Sequence, residues 1–178
     1  FCGFRANSGE YKFMGLAPFG KPVLSDLIEN NFIVLNSDGT FRLKDDIINP
    51  NLNQSDLMVN IENILGHKRN KIDGEITEYY ANIAASVQKV TEKCILGIIK
   101  RASQITKKKN LCLAGGVALN CVVNQKIVES NIFQNVFVFP ASGDSGASLG
   151  AAQVYFYNKK TTNNYSPCDN FIPYIGTD

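Results

Sequence analysis

The segment Leu111-Cys112-Leu113-Ala114-Gly115-Gly116 is a short apolar run that ends in two glycines, and the expected architecture follows from it. The apolar run predicts a strand, and the glycine pair predicts a tight turn after that strand. The same order occurs again downstream, where Val136-Phe137-Val138-Phe139 precedes the loop Gly143-Asp144-Ser145-Gly146. The second apolar run is continuous, as is typical of strands in a parallel sheet, and predicts a buried strand.

Helical patterns surround these two strands. Apolar residues recur every three or four positions from Ile76 to Ile105, which predicts one long amphipathic helix. Shorter helices are predicted from Val117 to about Glu129 and from Ala147 to Tyr157. The resulting order predicts an α/β fold with neighbouring parallel strands and right-handed crossover helices. Because parallel strands end at one edge of a sheet, both glycine loops should line one crevice.

The first part of the chain gives weaker signals. Glycines and prolines punctuate residues 1–21, which we predict to be rich in turns. Asn36-Ser37-Asp38-Gly39 separates two β-prone runs and predicts a hairpin. The polar segment from Pro50 to Asn70 is predicted to be a loop, with room for one short helix.

Composition excludes several classes of protein. The net charge of +2 is too small to indicate nucleic acid or an anionic membrane as a partner. No apolar run approaches the roughly 18 residues that a membrane-spanning helix needs. The chain begins at Phe1 rather than at Met, so we expect it to be a piece of a longer protein.

The metal-binding and redox-active residue types are few. Five cysteines include no Cys-x-x-Cys pair, and we expect thiols such as Cys94 and Cys112 to be buried in a reducing, cytoplasmic protein. The single histidine, His67, lies in a polar stretch and is expected to be exposed. A zinc site is therefore not predicted from this chain.

The first glycine loop allows two interpretations. Gly115 and Gly116 lack Cβ atoms, so their backbone could approach a phosphate at the start of the next helix. They could equally form a simple strand-to-helix turn. Asn120, one turn into the predicted helix, could reach a ligand at the helix mouth or could cap and pack.

The second glycine loop and the region before it also carry candidate residues. Asp144 could be the N-cap of a helix or a hard oxygen ligand of a divalent cation, and two glycine loops at one edge favour the cation. Lys12, in Glu10-Tyr11-Lys12-Phe13-Met14-Gly15, could neutralise a phosphate or carbamoyl group. Alternatively, Lys12 forms a surface salt bridge with Glu10.

Three motifs, residues 10–20, 110–121 and 140–152, resemble the NodU and tobramycin-type family of O-carbamoyltransferases. The amino-terminal domain of that family is Kae1-like and belongs to the actin-like ATPase superfamily, which has two ribonuclease-H-like lobes. The resemblance implies that residues 1–160 form the second lobe. It also implies that residues 161–178 are a linker and the start of a carboxy-terminal domain.

The resemblance further implies a reaction and its cofactors. Family members use ATP and an iron-type divalent metal, with magnesium as a further candidate, to move a carbamoyl group from carbamoyl phosphate to a hydroxyl through a carbamoyl-adenylate. By matching position, Gly115, Gly116 and Asn120 would contact the nucleotide, and Asp144 would ligate the metal. Gly143, Lys12 and Gly15 complete the expected cofactor-binding set, and no residue is assigned as catalytic.

The family's remaining metal ligands are a His-x-x-x-His pair in the first lobe, which this chain lacks. The expected partners are therefore the first lobe and the carboxy-terminal domain of the same protein, a small hydroxyl-bearing acceptor and carbamoyl phosphate. We expect no transfer by the 178-residue chain alone. Alternatives are a tRNA threonylcarbamoyl transferase-like protein, a small-molecule kinase of the same superfamily, or a nucleotide-gated interaction module. The absence of a strongly basic composition argues against the tRNA enzyme.

Overall fold

The computed structural model describes residues 1–45 and 53–159, which divide into two units between Lys107 and Lys108. The first unit contains four helices and a two-stranded sheet within its described residues. Its elements are α1 Glu10–Leu16, α2 Ser25–Phe32, β1 Ile33–Leu35, β2 Phe41–Leu43, α3 Gln54–Leu65 and α4 Glu78–Thr106. A short 3-10 turn, Ala17–Phe19, follows α1.

Helix α4 organises this unit and confirms the helix predicted from the apolar period. Its 29 residues bury a face that includes Tyr80, Ile83, Val90 and Cys94. These side chains form one apolar cluster with buried residues of other segments, among them Ile28 of α2. Burying each large apolar side chain contributes about 1.5–3 kcal/mol, so the helix is stabilised mainly by its packed face.

Buried polar contacts fix the chain that crosses α4. The Ser86 hydroxyl donates to the Asn82 carbonyl (2.6 Å) and accepts from the Leu24 N–H (3.0 Å). A Cβ atom at Gly20 would overlap the carbonyl of Ala81, so the backbone lies directly on the helix there. Gly20 is therefore required by packing within the motif of residues 10–20.

The predicted hairpin is confirmed. Strands β1 and β2 are antiparallel, with Ile33 paired to Leu43 and Leu35 paired to Phe41. Gly39 in the turn has φ +89°, which favours glycine. Arg101 of α4 forms an ion pair with Asp38 at 2.8 Å, which holds the turn against the helix.

Two expectations for this unit need correction. Residues 1–21 are not simply turns, because α1 occupies Glu10–Leu16 and its Phe13 and Leu16 pack against the core. Between 50 and 70, the one helix allowed by the prediction does form as α3, but its three turns make it longer than predicted. The Asn53 side chain caps one end and left-handed Gly66 the other. Tertiary burial and capping outweigh the polar, glycine-containing composition of these segments. Residues 50–52 of that segment lie outside the described residues.

The second unit is described as far as residue 159. It contains β3 Asn110–Leu113, a 3-10 turn Gly116–Leu119, α5 Cys121–Glu129, β4 Asn135–Val138, a 3-10 turn Asp144–Gly146 and α6 Ala147–Lys159. Strands β3 and β4 are parallel neighbours, with Leu111 paired to Val136 and Leu113 to Val138. This confirms the parallel pair and a mixed α/β architecture. The linker predicted after residue 160 lies outside the described residues.

Burial in this unit differs from the prediction. Both strands alternate between exposed and half-buried residues, so Val136–Phe139 is not a fully buried strand. Cys112 and its pairing partner Phe137 are exposed, and so is Cys121, whereas Cys2 and Cys94 are buried. The buried side chains of α5, Val123 and Ile127, are each 1% exposed. Burial of the cysteines was therefore predicted correctly for Cys94 and wrongly for Cys112.

Among the helices described, none combines the length and apolar character that crossing a membrane requires.

The hairpin turn and α4 approach each other closely at Gly39 and Gly97, so a side chain at either position should destabilise the fold. A Cβ at Gly97 would lie 2.7 Å from the Gly39 carbonyl oxygen. We expect Gly97→Ala to lower the free energy of unfolding by about 1–3 kcal/mol, although alanine favours a helix by about 1 kcal/mol. Urea unfolding measures this change.

Gly15→Ala is the matched control, because Gly15 is also helical and nothing lies within 4 Å of its Cβ position. That variant should be neutral or more stable by up to about 1 kcal/mol. Equal stability changes for both variants would show that the close approach at Gly97 is not a constraint.

Candidate functional site

The two glycine loops of the second unit meet at the carboxyl ends of the parallel strands. The Gly115 N–H, two residues after β3, donates to the Ser142 carbonyl at 2.7 Å in the loop that follows β4. A Cβ built on Gly143 would touch Leu119 Cδ1 at 3.3 Å, so the loops also meet through side-chain contact. The expectation that the two loops lie together is confirmed.

The glycines in these loops differ in whether backbone conformation or lack of space requires a residue without a side chain. Gly115 has φ +98°, a conformation that L-residues rarely adopt. Gly146 is required by space, because a Cβ there would overlap the Ala141 carbonyl. Gly116 has neither constraint, since its φ is not in the left-handed region and no described atom lies within 4 Å of its Cβ position. The protein's own turn geometry therefore does not explain glycine at position 116.

Asn120 is the N-cap of α5 and not a residue one turn inside a helix. The 3-10 turn Gly116–Leu119 occupies the positions expected for the first helical turn, and α5 begins only at Cys121. The Asn120 Oδ1 accepts from the Val123 N–H at 3.1 Å. Asn124 supports the turn from the helix side, because its Nδ2 donates to the Ala118 carbonyl at 2.8 Å. The capping interpretation of Asn120 is thus realised.

Asp144 is exposed and opens the 3-10 turn that precedes α6. The N-cap of that turn is Gly143, so capping by Asp144, one of the two alternatives, is not realised at this turn. Within residues 1–45 and 53–159, no group of three or more His, Cys, Asp or Glu side chains could hold a metal ion. Asp144 is therefore not part of a cluster of metal-ligating side chains within the described residues.

Lys12 and Gly15 lie on α1 in the first unit, and both are exposed. The salt bridge between Lys12 and Glu10 is not formed. Instead the Glu10 carboxylate accepts from the backbone N–H groups of Asn7 at 2.7 Å and Gly9 at 3.1 Å. Hydrogen bonds from the backbone of Glu10 itself and of these two residues hold the pKa of Glu10 below its ordinary value.

Residues 1–153 match the protein family described as carbamoyltransferase N-terminus. The chain belongs to this family. An uncharacterised protein of Synechocystis is 42% identical over 152 residues, which are 85% of this chain and 25% of that protein. Nodulation protein NolNO of Sinorhizobium fredii is 38% identical over 143 residues, 80% of this chain and 19% of its own length.

Nodulation protein NolO of Bradyrhizobium diazoefficiens is 35% identical over 143 residues, again 80% of this chain and 24% of that protein. The chain thus spans about a quarter or less of the length of these relatives. The similarity therefore covers only one part of these longer proteins.

The structure also shows the surroundings of His67 and Cys2. His67 is exposed, as predicted, and stacks on Tyr79 with ring centroids 4.2 Å apart. Burial raises the pKa of the Cys2 thiol to about 11, and the Cys2 Sγ donates to the Tyr80 carbonyl at 3.8 Å. Cys2 is therefore a buried thiol that packs within the core of the first unit.

Ser142 is the residue of this site that sequence reasoning missed. It is 6% exposed, and its hydroxyl oxygen has no hydrogen-bond partner within the part of the chain that the structure describes. A serine in a loop gives no compositional signal, and only its place between a strand and Asp144 could have drawn attention to it. An unpaired buried hydroxyl costs about 1–3 kcal/mol.

Removing this hydroxyl should therefore not weaken the fold. We expect Ser142→Ala to leave the free energy of unfolding unchanged or to raise it by up to about 1–3 kcal/mol. Ser86→Ala is the matched control, since the buried Ser86 hydroxyl makes two hydrogen bonds, and its loss should cost about 1–3 kcal/mol. Urea unfolding of both variants tests this, and a clear loss of stability in Ser142→Ala would contradict it.

Proposed function

We propose that this chain is part of the second ribonuclease-H-like lobe of an ATP- and metal-dependent O-carbamoyltransferase. In this proposal the complete protein moves a carbamoyl group from carbamoyl phosphate to a hydroxyl of a small molecule through a carbamoyl-adenylate. Membership of the carbamoyltransferase N-terminus family supports the reaction class. The segments that relatives carry beyond this region would supply the first lobe and the carboxy-terminal domain.

The observation that carries the nucleotide-binding part is the open backbone at Gly116. No described atom lies within 4 Å of the position that a Cβ would occupy, and φ does not demand glycine. A glycine that neither backbone conformation nor packing requires is explained if a ligand must approach the chain there. The N–H groups at the start of the 3-10 turn Gly116–Leu119 have no acceptor inside that turn, so they can face an anion.

The hydrogen bond between the loops supports a structural role for the Gly115 N–H. Because the Gly115 N–H donates to Ser142, it fixes the loop and is not a donor to a ligand. Gly116 and Gly143 then allow close approach of the nucleotide phosphates, and Asn120 borders them at the start of α5. Lys12 and Gly15 would contact cofactor or donor from α1.

Asp144 would ligate the divalent metal together with the histidine pair of the first lobe. The metal would supply positive charge that offsets the phosphates. The acceptor hydroxyl would form a bond to the carbamoyl carbon of the adenylate, the bond from that carbon to the AMP phosphate oxygen would break, and the hydroxyl proton would be released to solvent. The four described cysteines are all free thiols, which supports the expected cytoplasmic location.

The first test concerns ATP. In the full-length protein, we expect Gly116→Val to weaken ATP binding by at least about ten-fold, because the branched side chain would fill the space assigned to phosphate. Isothermal titration measures the affinity. Gly150→Val in α6 is the control, since Gly150 likewise has open space at its Cβ position but follows the loop by a full helical turn. If ATP affinity is unaltered in Gly116→Val, then Gly115-Gly116 is only a turn and does not bind the nucleotide.

The second test concerns the metal. Asp144→Asn keeps the shape and removes the charge, so metal content should fall and carbamoyl transfer should drop by roughly a hundred-fold or more. Ser145→Ala, the exposed neighbour, should keep both. Metal analysis and product measurement on the same samples are needed, with AMP and carbamoylated acceptor as products. Normal metal content and turnover in Asp144→Asn, or ADP in place of AMP, would contradict the proposal.

A further inference from the structure

One buried side chain of the second unit has a hydrogen-bonding group that the protein itself does not use. Ser142 is 6% exposed, and its hydroxyl oxygen has no hydrogen-bond partner within residues 1–45 and 53–159. The other two buried polar side chains that the structure describes, Ser25 and Ser86, both make hydrogen bonds. Buried hydroxyls in folded proteins are nearly always paired, so the exception at Ser142 is best explained by a group that binds there.

Ser142 lies where the two glycine loops are joined. Its carbonyl accepts from the Gly115 N–H at 2.7 Å, and the carbonyl of the next residue, Gly143, accepts from the Gly146 N–H at 3.0 Å. On the preceding side, a Cβ atom at Gly146 would overlap the Ala141 carbonyl, so the loop closes on itself there. Because the backbone on both sides of Ser142 is held, its hydroxyl changes position chiefly by rotation about χ1.

The composition of the loops restricts how they can hold an anion. Residues 114–120 and 139–146 contain no lysine, arginine or histidine, and their single charged side chain is the carboxylate of Asp144. An anion bound by these loops is therefore bound by neutral donors, which are backbone N–H groups and hydroxyls. Phosphate oxygens accept hydrogen bonds, so a serine hydroxyl beside them acts as the donor.

We propose that the Ser142 hydroxyl donates a hydrogen bond to a phosphate oxygen of the nucleotide that the glycine loops bind. This inference rests on the proposed function and deepens it, because it adds a side-chain donor to the open backbone at Gly116. The hydroxyl oxygen is enclosed in this structure, so rotation about χ1 brings it to the phosphate when the nucleotide binds. No hydrogen bond within the described chain is broken by that rotation, since the hydroxyl makes none. Ser142 is thus assigned as a binding residue and not as a catalytic one.

Calorimetric titration of ATP and of adenosine into the full-length protein tests this assignment. Ser142→Ala should weaken ATP binding by roughly ten-fold, as loss of one hydrogen bond to a charged group does. Adenosine affinity should stay unaltered, because adenosine has no phosphate. Ser148→Ala is the matched control and should bind ATP normally, since the Ser148 hydroxyl is exposed and already donates to the Ser145 carbonyl at 3.1 Å.

A second variant separates the hydrogen bond from the shape of the site. Ser142→Cys fills nearly the same space as serine, but its S–H group is a weak donor, so it should bind ATP as weakly as Ser142→Ala. Full ATP affinity in Ser142→Cys beside a loss in Ser142→Ala would show that only shape matters and would overturn the inference. Metal content should be unchanged in both variants, and its loss would assign the hydroxyl to the metal instead of the phosphate.

The outcome for Gly116→Val distinguishes failure of this inference from failure of the proposed function. ATP affinity that is weakened by Gly116→Val but not by Ser142→Ala would overturn the role of Ser142 and leave the proposed nucleotide site intact. If neither substitution alters ATP affinity, the glycine loops do not bind the nucleotide and both proposals fail. Weaker ATP binding by Ser142→Ala with undiminished stability in urea supports the inference, because a damaged fold cannot then be the cause.

Discussion

Burial of one face of α4 is the constraint on which the first unit depends. A 29-residue helix exposes too much apolar surface to be stable alone, and its core side chains must be covered. The segments that cover it are individually weak: α1 has seven residues, α2 has eight, and the hairpin strands have three each. Each is stabilised by contact with α4, so Ser86, Gly20 and the Gly39–Gly97 approach matter more than local propensity.

The arrangement of the second unit depends instead on the parallel pairing of β3 and β4. Because both strands run in the same direction, the chain leaves each of them at the same edge. Two loops that are more than 20 residues apart then share one hydrogen bond, from Gly115 to Ser142. That contact joins the two loops, in which the Cβ position of Gly116 is open and Asp144 is exposed. The chemistry proposed for this chain depends on that arrangement.

Periodicity and turn chemistry were enough to predict α4, the hairpin and the two parallel strands, because these signals are local and repeat over many residues. The same local signals placed the glycine loops at strand ends and selected Gly116, Asn120 and Asp144 as candidates. They could not predict α1, since seven residues with an internal glycine form a helix only when Phe13 and Leu16 are packed against a core. They also could not place Asn120 at the cap, separate Gly116 from the glycines that packing requires, or find Ser142. These features arise from contacts between residues distant in the chain, and such contacts exist only once the chain has folded.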